Sequence, residues 1–218
     1  MTPRTLEALF TNVSRRGLSA SLNFRARTDV NTSMYTRLHQ HVSTALGKRP
    51  CFTNIVRSLL LAPTSSNLEA TLAKLRTMES APGYLILCSP TEAAIVEKDY
   101  ETAHIRTSTS FLPCANHDAA LDEWTPEKFA DWANATADPL LVCSRDRKEC
   151  VIDAARHVKT VEDIKKLTQT WPALNTLTTF GVIMSPERGV IDWGAWYKER
   201  PVPPSGMEEW GGAFTPIP

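Results

Sequence analysis

Long apolar runs are missing from this 218-residue sequence. No window approaches the roughly twenty residues that a membrane helix needs, and the opening "MTPRTLEALFTNVSRRG" lacks the uninterrupted apolar core of a signal peptide. Charge of one sign is missing too. The 24 basic side chains cancel the 24 acidic ones, which leaves no electrostatic footprint for nucleic acid or an anionic membrane. Glycine is scarce, and the nine present never gather into a Gly-x-Gly-x-x-Gly or Walker pattern, so those phosphate-cradling loops are excluded. The Gly-x-Ser-x-Gly elbow of serine hydrolases is also absent. No Cys-x-x-Cys or His-x-x-x-His pair occurs. His39 and His41, two apart in a predicted helix, point to different faces, and Cys143 and Cys150 stand seven apart. No metal and no cofactor is therefore expected. The five cysteines, at 51, 88, 114, 143 and 150, are odd in number and irregularly spaced. They read as buried thiols rather than a disulfide framework and suit a reducing compartment, which leans the localisation to the cytoplasm. Asn-x-Ser/Thr triplets at Asn12, Asn31 and Asn134 point the other way, toward a secretory route, but so short a pattern arises easily by chance.

What is present is a dense succession of short elements without repeats or low-complexity tracts. "GLSASLNFR" (17–25) alternates Leu18, Ala20 and Leu22 with Ser19, Ser21 and Asn23, the period of a half-buried strand with Asn23 facing away from the leucines. "FTNIVRSLLLAP" (52–63) sets Phe52, Ile55, Val56, Leu59 and Leu60 on one helical stripe that ends at Pro63. A second helix follows, with caps available from Thr64 to Asn67 and Leu68, Leu72 and Leu75 as its buried face. Strands are then predicted at 84–89, 92–99, 102–108 and 110–116, spaced as an antiparallel meander. Helices are predicted at 125–134, 147–158 and 160–171, with Thr125 and Thr160 as caps. Strands at 177–185 and 189–197 close the chain around the turn "PERG". The order implies one compact layered α+β domain over 17–199, with helices covering a sheet, a short extension at 1–16 and an irregular Pro/Gly-rich tail at 200–218.

Several stretches, taken in order, resemble one family. "GLSASLNFR", "FTNIVRSLLLAPTSSNLEATLAKLRTMESAPGYLIL", "EAAIVEKDYE", "LPCANHD", "CSRDRKECV" and "LNTLTTFGVIMSPERGVIDWG" look like the acid ceramidase and N-acylethanolamine acid amidase group. These are choloylglycine hydrolase-like members of the N-terminal-nucleophile hydrolases, and the resemblance spans about residues 15 to 197. It implies a four-layer αββα sandwich that hydrolyses fatty-acyl amides or ceramide-like molecules, while the missing apolar runs imply a soluble chain without a transmembrane segment. In that group a cysteine exposed by self-cleavage attacks the amide carbonyl, and its own α-amine serves as base. Asn116 matches the asparagine whose side-chain amide helps form the oxyanion hole. Arg147 matches an arginine at a helix start that orients nucleophile and carbonyl, with Arg145 as the alternative if the register slips by two. Asn23 matches an asparagine near the substrate, and it reads equally as a polar strand residue.

One departure stands out. The resemblance implies a nucleophilic cysteine well ahead of the "SLN" strand, and none of the twenty-two residues before Asn23 is a cysteine. The expected amidase domain is therefore partial at its N-terminus. Either a partner chain supplies the cysteine-bearing segment, or the gene model is truncated, or the fold has kept a lipid- or protein-binding role without catalysis, or another residue substitutes. Cys114 is the candidate substitute, because on a strand it would share a face with Asn116; Thr2 is a weaker one. An acyltransferase outcome stays open as well, since an amine can release an acyl-enzyme in place of water. The lysosomal workplace of the family's members stands against the cytoplasmic lean of the thiols.

Overall fold

The computed structural model describes residues 11–13, 17–23, 25, 34–48, 50, 52–61, 67–136, 139–175, 178 and 180–197. Thr2, Cys51, Pro63 and the tail from residue 198 lie outside them. The chain divides into two compact units, one of residues 1–114 with 184–191 and the other of residues 115–183 with 192–218.

The first unit is built on a five-stranded antiparallel sheet in simple sequence order, β1 (Thr11–Val13), β2 (Ser19–Asn23), β3 (Gly83–Cys88), β4 (Ala93–Lys98) and β5 (Ala103–Ser108). Three helices separate β2 from β3: α1 (Met34–Ala45), α2 (Phe52–Leu61) and α3 (Leu68–Thr77). The meander forms as its spacing predicts, because Asp99 to Thr102 and Ser89 to Glu92 close tight turns by backbone hydrogen bonds of 2.9 and 2.8 Å. The Asn67 side chain caps α3, accepting from the N–H groups of Glu69 and Ala70.

Register then decides which residues meet. Ala20 lies opposite Leu87 and Leu22 opposite Leu85. Leu85 lies opposite Val96, Leu87 opposite Ala94, and Val96 opposite Ile105. These rows form one apolar face, and Ile55 and Val56 of α2 with Leu68, Leu72 and Leu75 of α3 pack on it as a single core. The opposite face carries the row Asn23, Tyr84, Glu97 and His104. Its central part is buried as well, for Tyr84 and Ile95 are 0% exposed and Glu97 4%, whereas His104 on β5 is exposed. Strands buried on both faces need no alternation. That is why Ser19, predicted to face out, is buried like its neighbours Leu18 and Ala20. Glu97 is met in this setting by Arg106 at 3.2 Å and His104 at 3.3 Å.

The second unit is mainly helical. A 3-10 turn (Ala119–Glu123) leads into α4 (Pro126–Thr136), the short α5 (Pro139–Val142), α6 (Ser144–Ala155) and α7 (Val161–Thr168). Pro126 starts α4 where its missing N–H costs nothing, and the Thr125 hydroxyl accepts from the Lys128 N–H at 3.3 Å. At α7 a full capping box forms, with Thr160 Oγ1 accepting from the Asp163 N–H and Asp163 Oδ2 from the Thr160 N–H. A hairpin, β6 (Phe180–Ser185) and β7 (Val190–Trp196), follows; its turn and the adjoining strand ends belong to the first unit. Gly189 supplies the positive φ of 65° that this turn needs.

One predicted strand is not there. Residues 111–115 have no regular structure, and β5 ends at Ser108 with a bend at Thr109 and Ser110. Pro113 has no N–H to give a ladder, and Phe111 stays 48% exposed. The segment that brings Asn116 into place is thus an irregular connection.

Candidate active site

The second unit holds a group of polar side chains joined end to end, buried except for the half-buried Arg147 and the exposed Asp122. Asn116 is 6% exposed and sits in the bend just after the irregular connection. Its side-chain Oδ1 accepts from Arg147 Nη2 at 2.9 Å. The same Nη2 donates to the Leu140 carbonyl at 2.8 Å, and Arg147 Nε donates to the Cys143 carbonyl at 3.3 Å. Arg147 therefore ties the Leu140 and Cys143 carbonyls to the amide of Asn116, the Cys143 carbonyl also accepting the Arg147 N–H at 3.1 Å as the first bond of α6. Burial, the main influence, pulls Arg147 below the usual guanidinium range, yet so strong a base keeps its proton. With Oδ1 facing the cation, the donor end of the Asn116 amide is Nδ2, an assignment made from the hydrogen-bond pattern.

The backbone of Asn116 is held by a second set of contacts. Its N–H donates to Ser144 Oγ at 2.8 Å. Ser144 is 0% exposed, and its hydroxyl lies 2.7 Å from His117 Nδ1. The other ring nitrogen, His117 Nε2, lies 2.9 Å from Asp122 Oδ1, and Asp122 Oδ2 accepts from Lys148 Nζ. The ring of Phe129 stands edge-on to His117 with centroids 5.1 Å apart, and Phe129 in turn packs on Trp132. For a neutral imidazole, one proton arrangement satisfies these contacts. Ser144 Oγ accepts from Asn116 and donates to Nδ1, so the neutral imidazole carries its proton on Nε2 and donates it to Asp122.

The charges agree with that arrangement. Burial is the largest influence on His117 and lowers its basicity; the Asp122 hydrogen bond pulls it up, while the Lys148 and Arg145 charges push it down, and the net direction is down. Burial raises Asp122, but the Lys148 and His117 hydrogen bonds outweigh it and hold the carboxyl below its usual range.

The structure brings Asn116 and Arg147 into contact and separates the two arginines by task. Arg145 turns away, donating to the Trp124 carbonyl at 2.8 Å and to Glu149 at 3.2 Å, with its guanidinium 5.9 Å from the Phe129 ring centroid. Asn23 and Cys114 belong to the first unit. Asn23 is half-buried on the face opposite the leucines. Cys114 is half-buried in the irregular connection, so the shared strand face that made it a substitute nucleophile does not exist. The described cysteines 88, 114, 143 and 150 are all thiols, and burial raises Cys88 and Cys143 above the usual thiol range, which keeps them protonated. Among the described residues no three His, Cys, Asp or Glu side chains converge as a metal site, and no helix is long and apolar enough to cross a membrane.

Sequence reasoning missed Ser144, His117, Asp122 and Lys148. One signal was available: Ser144, Arg147 and Lys148 are spaced i, i+3 and i+4, so on a helix they share a face.

No family model matches the chain, and no protein of curated function does. Among solved structures it is similar to the Caenorhabditis elegans ortholog of N-acylethanolamine-hydrolyzing acid amidase, at 22% identity and a TM-score of 0.57, over 82% of this chain and 70% of that one. The chain is thus an α+β protein whose fold is similar to that structure's.

Proposed function

We propose that this chain carries the carbonyl-activating side of an N-acyl amide hydrolase acting on fatty-acyl amides or ceramide-like molecules. The observation that carries the proposal is the buried Asn116 amide, oriented through its Oδ1 by Arg147. Attack of a thiolate on an amide carbonyl moves a full negative charge onto the carbonyl oxygen. A preorganised N–H donor in a dry site stabilises that charge more than it does the ground-state carbonyl. Asn116 Nδ2 is that donor, and Arg147 acts on the reaction by holding the amide and adding positive potential. Loss of the amine leaves an acyl-thioester, which water releases as the fatty acid; an amine in its place would make the chain an acyltransferase.

The attacking thiol comes, in this proposal, from a cysteine-bearing segment outside the 218 residues. Asn23 is assigned to substrate binding by the resemblance of its "SLN" stretch, and it stands in a row with Tyr84, Glu97 and His104. Central strands buried on both faces support an αββα arrangement, in which each sheet is an inner layer. The domain extends over residues 17–199.

A second proposal, a non-catalytic binding remnant of the same fold, draws on α1. Tyr35, Leu38 and Val42 on this helix and Leu46 just beyond it are 79%, 61%, 45% and 65% exposed and share one stripe, whereas Ser43 is buried. Such an inverted pattern favours a partner or an acyl lipid over solvent.

The deciding experiment is hydrolysis of a fluorogenic N-acyl amide by the chain alone and after co-expression with the coding segment immediately upstream. Turnover that needs the segment and vanishes when its cysteine is replaced supports the hydrolase. No turnover in either preparation, with binding of a fluorescent fatty-acyl probe that Leu38→Glu abolishes, supports the binding remnant.

A further inference from the structure

We infer that His117, with Ser144, Asp122 and Lys148, is a positioning relay that sets the aim of Asn116 and works only as a neutral, singly protonated imidazole. The inference rests on the proposed role of Asn116 and adds the residues that govern it.

Geometry separates this relay from a hydrolytic Ser-His-Asp triad, which it matches in composition. A nucleophilic serine must present its oxygen to a substrate. Ser144 is 0% exposed, and its oxygen already accepts the Asn116 N–H at 2.8 Å and lies 2.7 Å from His117 Nδ1. His117, at 2% exposed, is sealed by Phe129. Followed from Asp122 through His117 and Ser144, the contacts lead to the backbone N–H of Asn116. Their outer end is an anchored charge, because Asp122 is clamped by Lys148 and so takes the Nε2 proton from one side only.

The tautomer is what the relay transmits. If His117 carried its proton on Nδ1, two N–H donors would converge on Ser144 Oγ, the serine proton would lose its acceptor, and Asp122 would face a bare nitrogen. The Asn116 peptide would then shift. Since Arg147 grips the side chain of the same residue at 2.9 Å, a shift of the peptide turns the amide away from its aim. Small misplacements of a catalytic donor cost rate disproportionately.

The test uses the whole chain labelled with 15N-histidine and 15N-asparagine, at pH 7. Two-bond 1H–15N correlation should show His117, identified by the signal lost in His117→Gln, as the Nε2–H tautomer. Asp122→Asn, which keeps the shape but offers an amide N–H to Nε2, should invert that pattern and move the Asn116 backbone and side-chain amide signals. In the preparation complemented with the upstream segment, Asp122→Asn should lower kcat roughly tenfold or more with KM within about twofold. A cationic or Nδ1–H His117 in the unmutated chain overturns the inference. So do unmoved Asn116 signals in Asp122→Asn, an unchanged kcat in an active preparation, or labelling of Ser144 by a fluorophosphonate. Should the complemented preparation prove inactive, the proposed hydrolase fails while the histidine and asparagine spectra still decide the relay.

Discussion

Ser144→Ala removes one oxygen from the centre of the buried chain, and its consequence can be worked through. The hydroxyl serves two groups, the Asn116 N–H at 2.8 Å and His117 Nδ1 at 2.7 Å, in a place where Ser144 and His117 are 0% and 2% exposed. A buried polar group deprived of its partner costs about 1–3 kcal/mol, so two of them cost about 2–6 kcal/mol. For a protein of this size that corresponds to a fall in Tm of about 4–24 °C. His117→Phe keeps the ring volume but strands the Ser144 proton and the Asp122 acceptor, the latter 40% exposed and open to water. Its cost is about 1–3 kcal/mol. In the double variant the serine–histidine contact is gone from both sides, so the two losses should fall short of additivity by about 1–2 kcal/mol. Urea unfolding followed by tryptophan fluorescence is the assay, since all six tryptophans fall within the second unit's residues. Additivity within about 0.5 kcal/mol would refute the claim that these two side chains act as one hydrogen-bonded element.

Acid should weaken the second unit through the same histidine. A group whose folded pKa is depressed contributes stability that is complete above its unfolded value, about 6.5 for histidine, and is lost as pH falls through the folded value. Unfolding free energy should therefore begin to fall below about pH 6.5, and His117→Phe should flatten that limb; identical pH profiles for the two proteins count against the buried neutral state. Arg147→Lys keeps the charge but loses the planar fork that reaches Asn116 and Leu140 through Nη2 and Cys143 through Nε, and should lower turnover of the complemented hydrolase at least about tenfold. Arg145→Lys, aimed elsewhere, should leave kcat within about twofold, and equal losses would erase the distinction between the two arginines. Thr160→Ala should cost about 1 kcal/mol in chemical denaturation by opening the capping box of α7, and a neutral result would contradict that cap.

Elements whose signal is local were readable from sequence. Asn67 and Thr160 cap the helices they were expected to cap, and the leucines of α3 form its buried face. The meander from β3 to β5 follows from its turns. Where burial on a second face adds a constraint, the local pattern fails. Ser19 is buried because β2 pairs into a sheet covered on both sides, which a two-residue period cannot express. Residues 110–116 look like a strand by composition, yet Pro113 and the bend at Thr109 and Ser110 prevent pairing. The site divides in the same way. Asn116 and Arg147 could be singled out by resemblance, but the contacts that hold Asn116 reach across 28 residues to Ser144, and nothing in either segment alone encodes them. Buried hydrogen-bond chains are tertiary facts, and only the shared face of Ser144, Arg147 and Lys148 hinted at one.

The most direct test of the central claim is the turnover of Asn116→Ala on a fluorogenic N-acyl amide, measured beside the unmutated chain, each co-expressed with the upstream cysteine-bearing segment. An oxyanion donor held by Arg147 predicts a loss in kcat on the order of 100-fold, with KM little changed. Equal turnover in the two proteins would contradict the role of Asn116 and with it the assignment of this site to amide hydrolysis.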